Sequence, residues 1–283
     1  MKLNSEELKR FVLNAITEDI GDGDHSSLAC IPAEKQGKAV LLVKEAGIIA
    51  GVEVAEKVFE VIDSKLIVKR FITDGTAVEP GNIVFEVNGS VQSILKSERL
   101  VLNIMQRMSG IATRTNSYVK LVEGTGTQIL DTRKTTPNMR FLEKAAVVIG
   151  GGANHRFGLY DMIMLKDNHV DFAGGVKEAV RKTKAYLQQT GKKLKIEVEV
   201  RNLKEVEEVL AEGGVDRIML DNFTPELSKE AVKLINKQAE IESSGGITHE
   251  TIRSYAECGV DFISVGALTH HIKSLDLSLK ANF

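Results

Sequence analysis

Hydrophobic and polar positions follow one pattern in the first third of the chain and another in the rest. Near the start, five apolar residues share one face of a helix, which we expect to begin near Asn4 with Glu7 as its capping partner. These five are Leu8, Phe11, Val12, Ala15 and Ile16. Four short strands and several turns are predicted next. The strands cover residues 38–44, 66–71, 83–87 and 91–95, and the turns lie at Gly75, Pro80-Gly81 and Asn88-Gly89.

From residue 128 onward, short apolar runs that end in polar residues alternate with stretches of helical periodicity. The runs are QILDTRK, MIMLKDN, KIEVEVR, RIMLDNF, EIESSGG and FISVGAL. The helical stretches between them cover residues 139–148, 175–189, 203–212, 225–237 and 248–258, and a longer one precedes them at 96–123. Apolar strands that alternate with helices are typical of a parallel sheet with helices on its outer side.

Two features favour a barrel, complete or incomplete, over an open doubly wound sheet. No GxGxxG turn follows the first strand of the series, so the usual marker of a dinucleotide fold is missing. Almost every run also carries its polar residues at the carboxyl end, where barrel enzymes place their active sites. Residues 275–280 alternate between apolar and polar side chains and predict a final strand, which would return to the N-terminal domain.

Composition then narrows the classes of function. The 283 residues carry a formal net charge of -2, 5% are aromatic and none is Trp, which disfavours a nucleic-acid binder. Cys30 and Cys258 fit neither a disulfide framework nor a metal site, and we expect both to be buried. The chain shows no signal-peptide pattern and no apolar run of about 18 residues, so we expect a cytoplasmic protein without a membrane segment.

Six cationic side chains are concentrated in three of the polar segments. They are Arg133, Lys134, Arg140, His155, Arg156 and Lys166. Arginine binds carboxylates and phosphates through two parallel hydrogen bonds, and lysine adds a mobile charge. If the strands form one sheet, these groups surround one mouth and predict a small substrate with several negative charges. The alternatives are a surface patch paired with Glu143, Asp161 and Asp167, and a structural role for the histidine.

Later strands contribute groups of a different kind. Glu199 and Asp221 end neighbouring runs, and two carboxylates beside a polyanion imply Mg²⁺ or sugar hydroxyls between them. An ion pair with a lysine or arginine of the cationic group is the alternative. Backbone N–H groups at Ser244-Gly245-Gly246 and Gly266-Ala267, at the starts of helices, predict a phosphate cradle. The combination indicates a phosphorylated sugar beside a second acidic molecule.

The three glycines at positions 150–152 follow a predicted helix and precede Asn154-His155-Arg156. Glycine permits an abrupt change of chain direction, so we expect the run to stop the helix and to place the histidine and arginine. By itself the run is weak support for phosphate binding.

Seven stretches of the chain resemble the quinolinate phosphoribosyltransferase family, whose members are also called nicotinate-nucleotide pyrophosphorylases (carboxylating). They are EDIGDGDHSS, SERLVLNIMQRMSGIAT, DTRKTTPNMRFLEKAAVVIGGGANHRFGLYDMIMLKDNH, IEVEVRN, IMLDNF, SSGGIT and SVGALTH. They extend from residue 18 to residue 270, and the central stretch of 39 residues is very specific.

The resemblance implies an α/β fold of the type II phosphoribosyltransferase kind, in which an N-terminal α/β sandwich domain is joined to an open (β/α) barrel of about seven parallel strands. On this basis residues 1–110, with the C-terminal segment 272–283, form the sandwich domain, and residues 111–271 form the barrel. The implied reaction transfers phosphoribose from 5-phosphoribosyl 1-diphosphate (PRPP) to quinolinate and yields nicotinate mononucleotide, pyrophosphate and CO₂, a step of NAD biosynthesis. Mg²⁺ would accompany PRPP, and no organic cofactor is implied.

Roles carry over from the family residue by residue. The wall that would bind quinolinate is Thr132, Arg133, Lys134, His155, Arg156 and Lys166. The residues that would hold the phosphate are Ser244, Gly245, Gly246, Gly266 and Ala267. The residues implied in catalysis are Lys134, Lys166, Glu199 and Asp221, of which the two carboxylates would lie near the ribose hydroxyls and the metal. Arg99 matches an arginine that the partner subunit of a homodimer supplies, and His270 matches a histidine close to the phosphoribosyl site.

One departure from the family pattern is visible at Asn138, where a glycine is usual. Asparagine tolerates a positive φ better than most residues, so we expect the same turn. Besides the nucleic-acid binder that composition disfavours, two alternative functions remain at this point. One is an enzyme that acts on nicotinate or another aromatic acid, and the other is a protein that binds polyanions without catalysis.

Overall fold

The structure, a computed structural model, describes residues 5–282, so the helix start predicted near Asn4 lies outside the described residues. The chain forms two compact units. One contains the chain up to Asn116, Thr135–Gly151 and the chain from Ala267 onward, and the other contains Ser117–Lys134 and Gly152–Gly266. The domain boundaries proposed at residues 110 and 271 stay predictions.

Helices and strands alternate along most of the described chain. The helices are α1 (Ser5–Ile20), α2 (His25–Cys30), α3 (Val52–Ile62), α4 (Val91–Leu121), α5 (Arg140–Ile149), α6 (Asp167–Ala173), α7 (Val176–Thr190), α8 (Leu203–Glu212), α9 (Pro225–Ile235), α10 (Ile252–Ala256) and α11 (Ala267–His270). The strands are β1 (Gln36–Val43), β2 (Gly47–Ile48), β3 (Ile67–Arg70), β4 (Ala77–Val78), β5 (Ile83–Ser90), β6 (Gln128–Leu130), β7 (Ile163–Leu165), β8 (Ile196–Val200), β9 (Arg217–Asp221), β10 (Glu240–Ser244), β11 (Phe262–Ser264) and β12 (Leu277–Asn282).

The first unit is built on an antiparallel sheet with the strand order β12-β1-β5-β3. In its register Leu277 lies opposite Val43 and Leu279 opposite Leu41, and all four side chains are buried. The strand predicted near the end of the chain is therefore confirmed, although it begins at Leu277. Alternation of buried and more exposed residues along β1 shows that one face of this sheet covers a hydrophobic core.

Two predictions for this unit are wrong. The strand predicted at residues 91–95 is the beginning of α4, whose buried residues recur at intervals of three and four, as one helical face requires. Those residues include Ile94, Ser97, Val101, Met105 and Met108. The turn predicted at Asn88-Gly89 lies inside β5 instead, where Gly89 pairs with Gly37. A Cβ at Gly89 would come within 2.7 Å of Leu66 Cδ2, so close packing explains the glycine there.

The second unit contains the predicted parallel sheet, and each of the six predicted runs supplies one strand. The strand order is β6-β11-β10-β9-β8-β7. Ala153 forms a parallel bridge with Leu130 on the side of β6 that β11 leaves open, which adds a single-residue seventh position. The helices between the strands are confirmed, but α10 covers only Ile252–Ala256 of the predicted residues 248–258. The short helix α6 was not predicted.

The charged residues of β8, β9 and β10 share one face of this sheet. All five residues of β8 are buried, with the apolar side chains of Ile196, Val198 and Val200 alternating with the carboxylates of Glu197 and Glu199. Residues two apart on a strand point the same way, and paired residues on neighbouring strands point together. The carboxylate face of β8 is therefore continuous with one face of β9, where Arg217 pairs with Glu197 and Met219 with Glu199.

The two cysteines differ in their exposure to solvent. Cys258 is buried, but Cys30 is exposed, so the expectation that both are buried is wrong for Cys30. The cause is its position at the last residue of the short helix α2, where its thiol donates to the Ser26 carbonyl at 3.1 Å. Between residues 5 and 282, no helix combines the length and apolar character needed to cross a bilayer.

Candidate active site

The carboxyl ends of the parallel strands carry predicted site residues at one edge of the sheet. Lys166 follows β7 directly, Asp221 ends β9 and Ser244 ends β10. In the register of the sheet Ser244 lies opposite Asp221, and Glu199 lies opposite Met219. Because of this pairing, Glu199, Asp221 and Ser244 project from the same face of the sheet. The strand ends therefore bring the acidic pair and the start of the predicted phosphate cradle together.

Arg133 and Arg156 place two like charges in the second unit, near enough for the charge of Arg133 to affect Arg156. Both side chains are partly buried, and Arg156 Nη1 donates to the carbonyl of Met162 at 3.3 Å. Burial lowers the pKa of Arg156 and the charge of Arg133 lowers it further, while Glu197 and Asp161 act in the opposite direction. A bound dianion would relieve the repulsion between the guanidinium groups, so this environment is suited to an anionic ligand.

The ring of His155 lies against buried carboxylates. Its side chain is only 5% exposed, and Nε2 lies 3.0 Å from a Glu197 oxygen and 3.5 Å from a Glu242 oxygen. On the other side of the ring, Nδ1 accepts the N–H of Arg156 at 2.7 Å. These contacts support the alternative that His155 has a structural role, and its predicted contact with quinolinate stays a prediction.

The buried carboxylates change the pKa of His155, and their own pKa values are shifted in turn. Burial lowers the pKa of His155, but Glu197 and Glu242 outweigh it and raise the pKa to about 9. The carboxylates favour the charged ring, whereas the Arg156 N–H at 2.7 Å opposes the second proton at Nδ1. In either state Nε2 carries a proton and faces the carboxylates. Burial also raises the pKa of Glu197, whereas hydrogen bonding from His155 and the charge of Arg217 hold the pKa of Glu242 below its usual value despite burial.

Arg217 extends this cluster across the interior face of the sheet. Its guanidinium donates to Glu242 at 2.9 Å and to Glu240 at 3.1 Å, and it lies 3.9 Å from the centre of the Phe262 ring. Of this group the sequence analysis predicted His155 and missed Glu197, Glu242 and Arg217. The available signal was the placement of charges at alternate positions of three successive strands, in IEVEV, RIMLD and EIESS.

Lys166 and Glu199 form the ion pair that was the alternative to a metal or hydroxyl clamp. Lys166 Nζ donates to Glu199 Oε2 at 3.2 Å, and the backbone N–H of Asp167 points at Oε1 at 3.5 Å. The lysine side chain is 48% exposed while that of the glutamate is 9% exposed, so the pair lies at a solvent-facing rim. A substrate anion can compete for an ammonium in such a position.

Asn222 connects Asp221 with the predicted phosphate cradle through two hydrogen bonds. Asn222 Nδ2 donates to Asp221 Oδ2 at 2.8 Å, and the Asn222 N–H donates to the Ser244 carbonyl at 2.9 Å. Gly245 has φ +91°, and a Cβ there would overlap the Asn222 side-chain oxygen, so both conformation and space require glycine. The expectation that these N–H groups open a helix is wrong here, because α10 begins only at Ile252.

Asp131 joins the two cationic segments and was not predicted as a site residue. It is fully buried; one carboxylate oxygen accepts the N–H of His155 at 2.9 Å, and the other accepts Asn154 Nδ2 at 2.6 Å. The adjacent Leu130–Ala153 bridge holds the same two segments side by side. The following residues of the loop are more open, and the Lys134 N–H donates to Thr132 Oγ1 at 3.1 Å.

Some predicted site residues belong to the first unit, so their approach to the strand ends stays a prediction. They are Arg99, which is exposed on α4, and Ala267 and His270 of α11. Arg140 Nε donates to Thr135 Oγ1 at 3.0 Å within the same unit. Glu143, proposed as a partner of the cationic group, is instead paired with Arg107 at 2.7 Å.

Two predicted features of the backbone lie in the first unit, the turn at Asn138 and the end of α5. Asn138 adopts φ +63°, as expected where the family carries glycine. The glycine run ends α5 at Ile149, and Gly151 follows with φ +94°. Gly150 packs so tightly that a Cβ would overlap the Ala112 carbonyl oxygen and lie 2.8 Å from Thr115 Cβ. The run therefore stops the helix, as predicted.

These features define an α/β protein whose predicted site residues meet at the carboxyl edge of a parallel sheet, which is where α/β enzymes bind their substrates. Two family profiles match the chain. "Quinolinate phosphoribosyl transferase, N-terminal domain" matches residues 24–109, and "Quinolinate phosphoribosyl transferase, C-terminal domain" matches residues 111–280. The chain belongs to the quinolinate phosphoribosyltransferase family.

Individual relatives agree with this assignment. Quinolinate phosphoribosyltransferase [decarboxylating] 2b, mitochondrial, of Nicotiana tabacum is 44% identical over 97% of this chain and 82% of its own length. The probable nicotinate-nucleotide pyrophosphorylase [carboxylating] of Bacillus subtilis is 40% identical over 98% of this chain and 94% of its own. Among solved structures, NadC from Streptococcus pyogenes is 41% identical, covers 99% of this chain and 98% of its own, and superposes with a TM-score of 0.94.

Proposed function

We propose that the protein transfers phosphoribose from PRPP to quinolinate with loss of CO₂ and so forms nicotinate mononucleotide and pyrophosphate for NAD biosynthesis. The observation that carries this proposal, beside family membership, is the partly buried pair of guanidinium groups at Arg133 and Arg156. Quinolinate carries two carboxylates on adjacent ring carbons, so each of two neighbouring guanidinium groups has one carboxylate to bind. Nicotinate carries one carboxylate and so offers a partner to only one of the two guanidinium groups.

Each group at the strand ends has a role in this reaction. Arg133 and Arg156 bind and orient the two carboxylates, with Thr132 and Lys166 beside them. Backbone N–H groups of Ser244-Gly245-Gly246 and of Gly266-Ala267 hold the phosphate of PRPP. We assign Arg99 and His270 to the same site as the family resemblance implies, with Arg99 coming from the partner subunit.

Glu199 and Asp221 fit the requirements of a Mg²⁺ ion. Both present carboxylate oxygens from the same face of the sheet, and Mg²⁺ binds in proteins through one or two carboxylates together with substrate phosphates. These two residues would therefore hold the ion that accompanies PRPP. When bound, the ion would supply positive charge to neutralise the pyrophosphate.

The chemistry then follows from where charge develops. The pyridine nitrogen of quinolinate forms a bond to C1 of the ribose while the bond from C1 to pyrophosphate breaks. Glu199 and Asp221 stabilise the positive charge that grows on the ribose, and Lys134 stabilises the leaving group. The bond from C2 of the ring to its carboxylate then breaks, the electron pair stays on C2 of the pyridinium, and C2 takes a proton from Lys134 or Lys166.

The direct test is to incubate the purified protein with PRPP, Mg²⁺ and quinolinate, and to measure nicotinate mononucleotide and CO₂ in equal amounts. Nicotinate in place of quinolinate is the control substrate. Turnover of nicotinate, or binding of quinolinate without turnover, would contradict the proposal and favour one of the two alternative functions.

Variants test the pocket itself. We expect Arg133→Ala and Lys166→Ala to raise the quinolinate KM about 10- to 100-fold, since a hydrogen bond to a charged group contributes about 1.5–3 kcal/mol. Arg181→Ala is the matched control, because this arginine pairs with Glu178 and Glu212 on an exposed surface. An unchanged quinolinate KM in both pocket variants would contradict the assignment.

A homodimer with shared sites, in the cytoplasm, completes the proposal. Both cysteines are unpaired, which fits a reducing compartment. Mixing refolded Arg99→Ala and Arg133→Ala subunits should restore about a quarter of wild-type activity, because half of the dimers are mixed and each has one intact site. No recovery above the separate variants would contradict a site that takes Arg99 from the partner.

A further inference from the structure

We propose that Glu197 is a positioning residue for quinolinate. From inside the sheet its carboxylate fixes the ring of His155, and His155 in turn fixes the main chain of Arg156, so that the guanidinium of Arg156 meets the substrate in one orientation. This inference rests on the proposed function and adds to the substrate site a residue from the layer beneath it.

The geometry forms a continuous path of short contacts. Glu197 is fully buried and lies 3.0 Å from His155 Nε2. His155 Nδ1 accepts the N–H of Arg156 at 2.7 Å, so the ring connects the carboxylate with the residue that bears the guanidinium. The main chain of His155 is held by Asp131, which accepts the His155 N–H at 2.9 Å. The histidine is thus restrained at its ring and at its main chain by two different carboxylates.

Stability alone does not account for this group. Burying a carboxylate is costly, and apolar residues of similar volume often stabilise an interior as well as a buried ion network does or better. Burial raises the pKa of Glu197 because it disfavours the charged form of the carboxylate, and this is the cost of burying the group. A rigid support for a binding residue is a benefit that an apolar side chain would not provide, because it could not accept the Nε2 proton and so fix the ring.

The same three side chains have the chemistry of metal ligands. Ligand atoms of His155, Glu197 and Glu242 lie within 4.8 Å of one another. The guanidinium of Arg217 donates to Glu242 at 2.9 Å, so this carboxylate already has a positive partner. We therefore assign these three side chains to hydrogen-bonded contacts rather than to a metal ion, and the experiment tests this with Zn²⁺.

The primary variant is Glu197→Gln, with Glu240→Gln as the matched control. Glu240 accepts a hydrogen bond from the same Arg217 but stands at the rim, 37% exposed. We expect E197Q to raise the quinolinate KM about tenfold while the PRPP KM changes less than about twofold, because only the carboxylate-binding arginine loses its orientation. E240Q should leave both constants within about twofold of wild type.

A spectroscopic readout separates positioning from a general loss of structure. In protein labelled with ¹⁵N-histidine, the Nε2 proton of His155 should give a signal protected from exchange, assigned by its loss in His155→Gln. E197Q should remove this protection and E240Q should keep it. If E197Q does not fold, Glu197→Asp, which withdraws the charge by one methylene, tests the same contact.

The outcomes are distinct. An active wild type with an unchanged quinolinate KM in E197Q, or equal effects of E197Q and E240Q, would overturn this inference alone. Stoichiometric Zn²⁺ that shifts the His155 signals and needs Glu197 to do so would overturn it in favour of a metal site. A wild type that makes no nicotinate mononucleotide would overturn the proposed function, whereas the effect of E197Q on the His155 signal would still be measurable.

Discussion

Removal of the interior arginine, Arg217→Met, should destabilise the protein far more than removal of an arginine from the surface. Arg217 is mostly buried, and its guanidinium bonds to Glu242, which is fully buried, at 2.9 Å and to Glu240 at 3.1 Å. Methionine keeps much of the volume but leaves the buried carboxylate without this charge. Breaking a buried pair in this way costs about 3–5 kcal/mol.

The assay is thermal and urea unfolding at pH 7, followed by circular dichroism. For a chain of this size we expect a fall in Tm of roughly 6–20 °C, at about 2–4 °C per kcal/mol. The control Arg181→Met removes an exposed pairing with Glu178 and Glu212 and should cost less than about 1 kcal/mol.

A double variant isolates the cause. Adding Glu242→Gln to Arg217→Met removes the charge that was left unpaired, so it should recover at least about 1 kcal/mol. The reasoning fails if Arg217→Met loses no more stability than Arg181→Met. It also fails if the loss in the double variant equals the sum of the losses in Arg217→Met and Glu242→Gln alone, because the interior charges would then be better solvated than their burial indicates.

Three further predictions concern single residues. Gly245→Ala should weaken PRPP binding at least about tenfold in a titration, because a side chain at φ +91° would displace Asn222 from Asp221. Unchanged binding would mean that this turn does not bind the phosphate. Asp63→Ala should lower stability in urea more at pH 7 than at pH 3. Hydrogen bonds from the Lys65 N–H and the Ser93 hydroxyl lower the pKa of Asp63 below 3.8, so its contribution is complete well above that pH and decreases as pH falls toward and through the lowered pKa. An equal loss at both pH values would contradict this. Asn202→Ala should cost about 1 kcal/mol in the same assay, since Asn202 caps α8 by accepting the Glu205 N–H; no loss would mean that water replaces the cap.

The parallel sheet was predictable because its strands are short apolar runs separated by helices of sufficient length. The strand predicted at residues 91–95 failed because its apolar residues fit a strand and the first turn of a helix equally well. That ambiguity was resolved only by contacts of α4 with residues far away in sequence, such as the packing of Met105 and Met108 against Gly51.

The cationic and acidic residues at the strand ends were predictable from their repetition. The layer below them was not, because alternating glutamates in IEVEV usually indicate a strand with one solvated face. Only the registration of β8 with β9 shows that Glu197 faces Arg217 inside the sheet. The role of Arg99 follows from the family alone, since nothing in its helix distinguishes it.

The pairing of β1 with β12 has a consequence for synthesis of the chain. Lys38 lies opposite Asn282, so β1 gains its second neighbour only after about 240 further residues have been made, which takes roughly 12–50 s at ribosomal rates of about 5–20 residues per second. During that interval one edge of β1, with Leu41 on its apolar face, is open to pairing with another nascent chain. The pairing of β1 is therefore completed only when β12 has been made, whichever strand of the first sheet forms earlier.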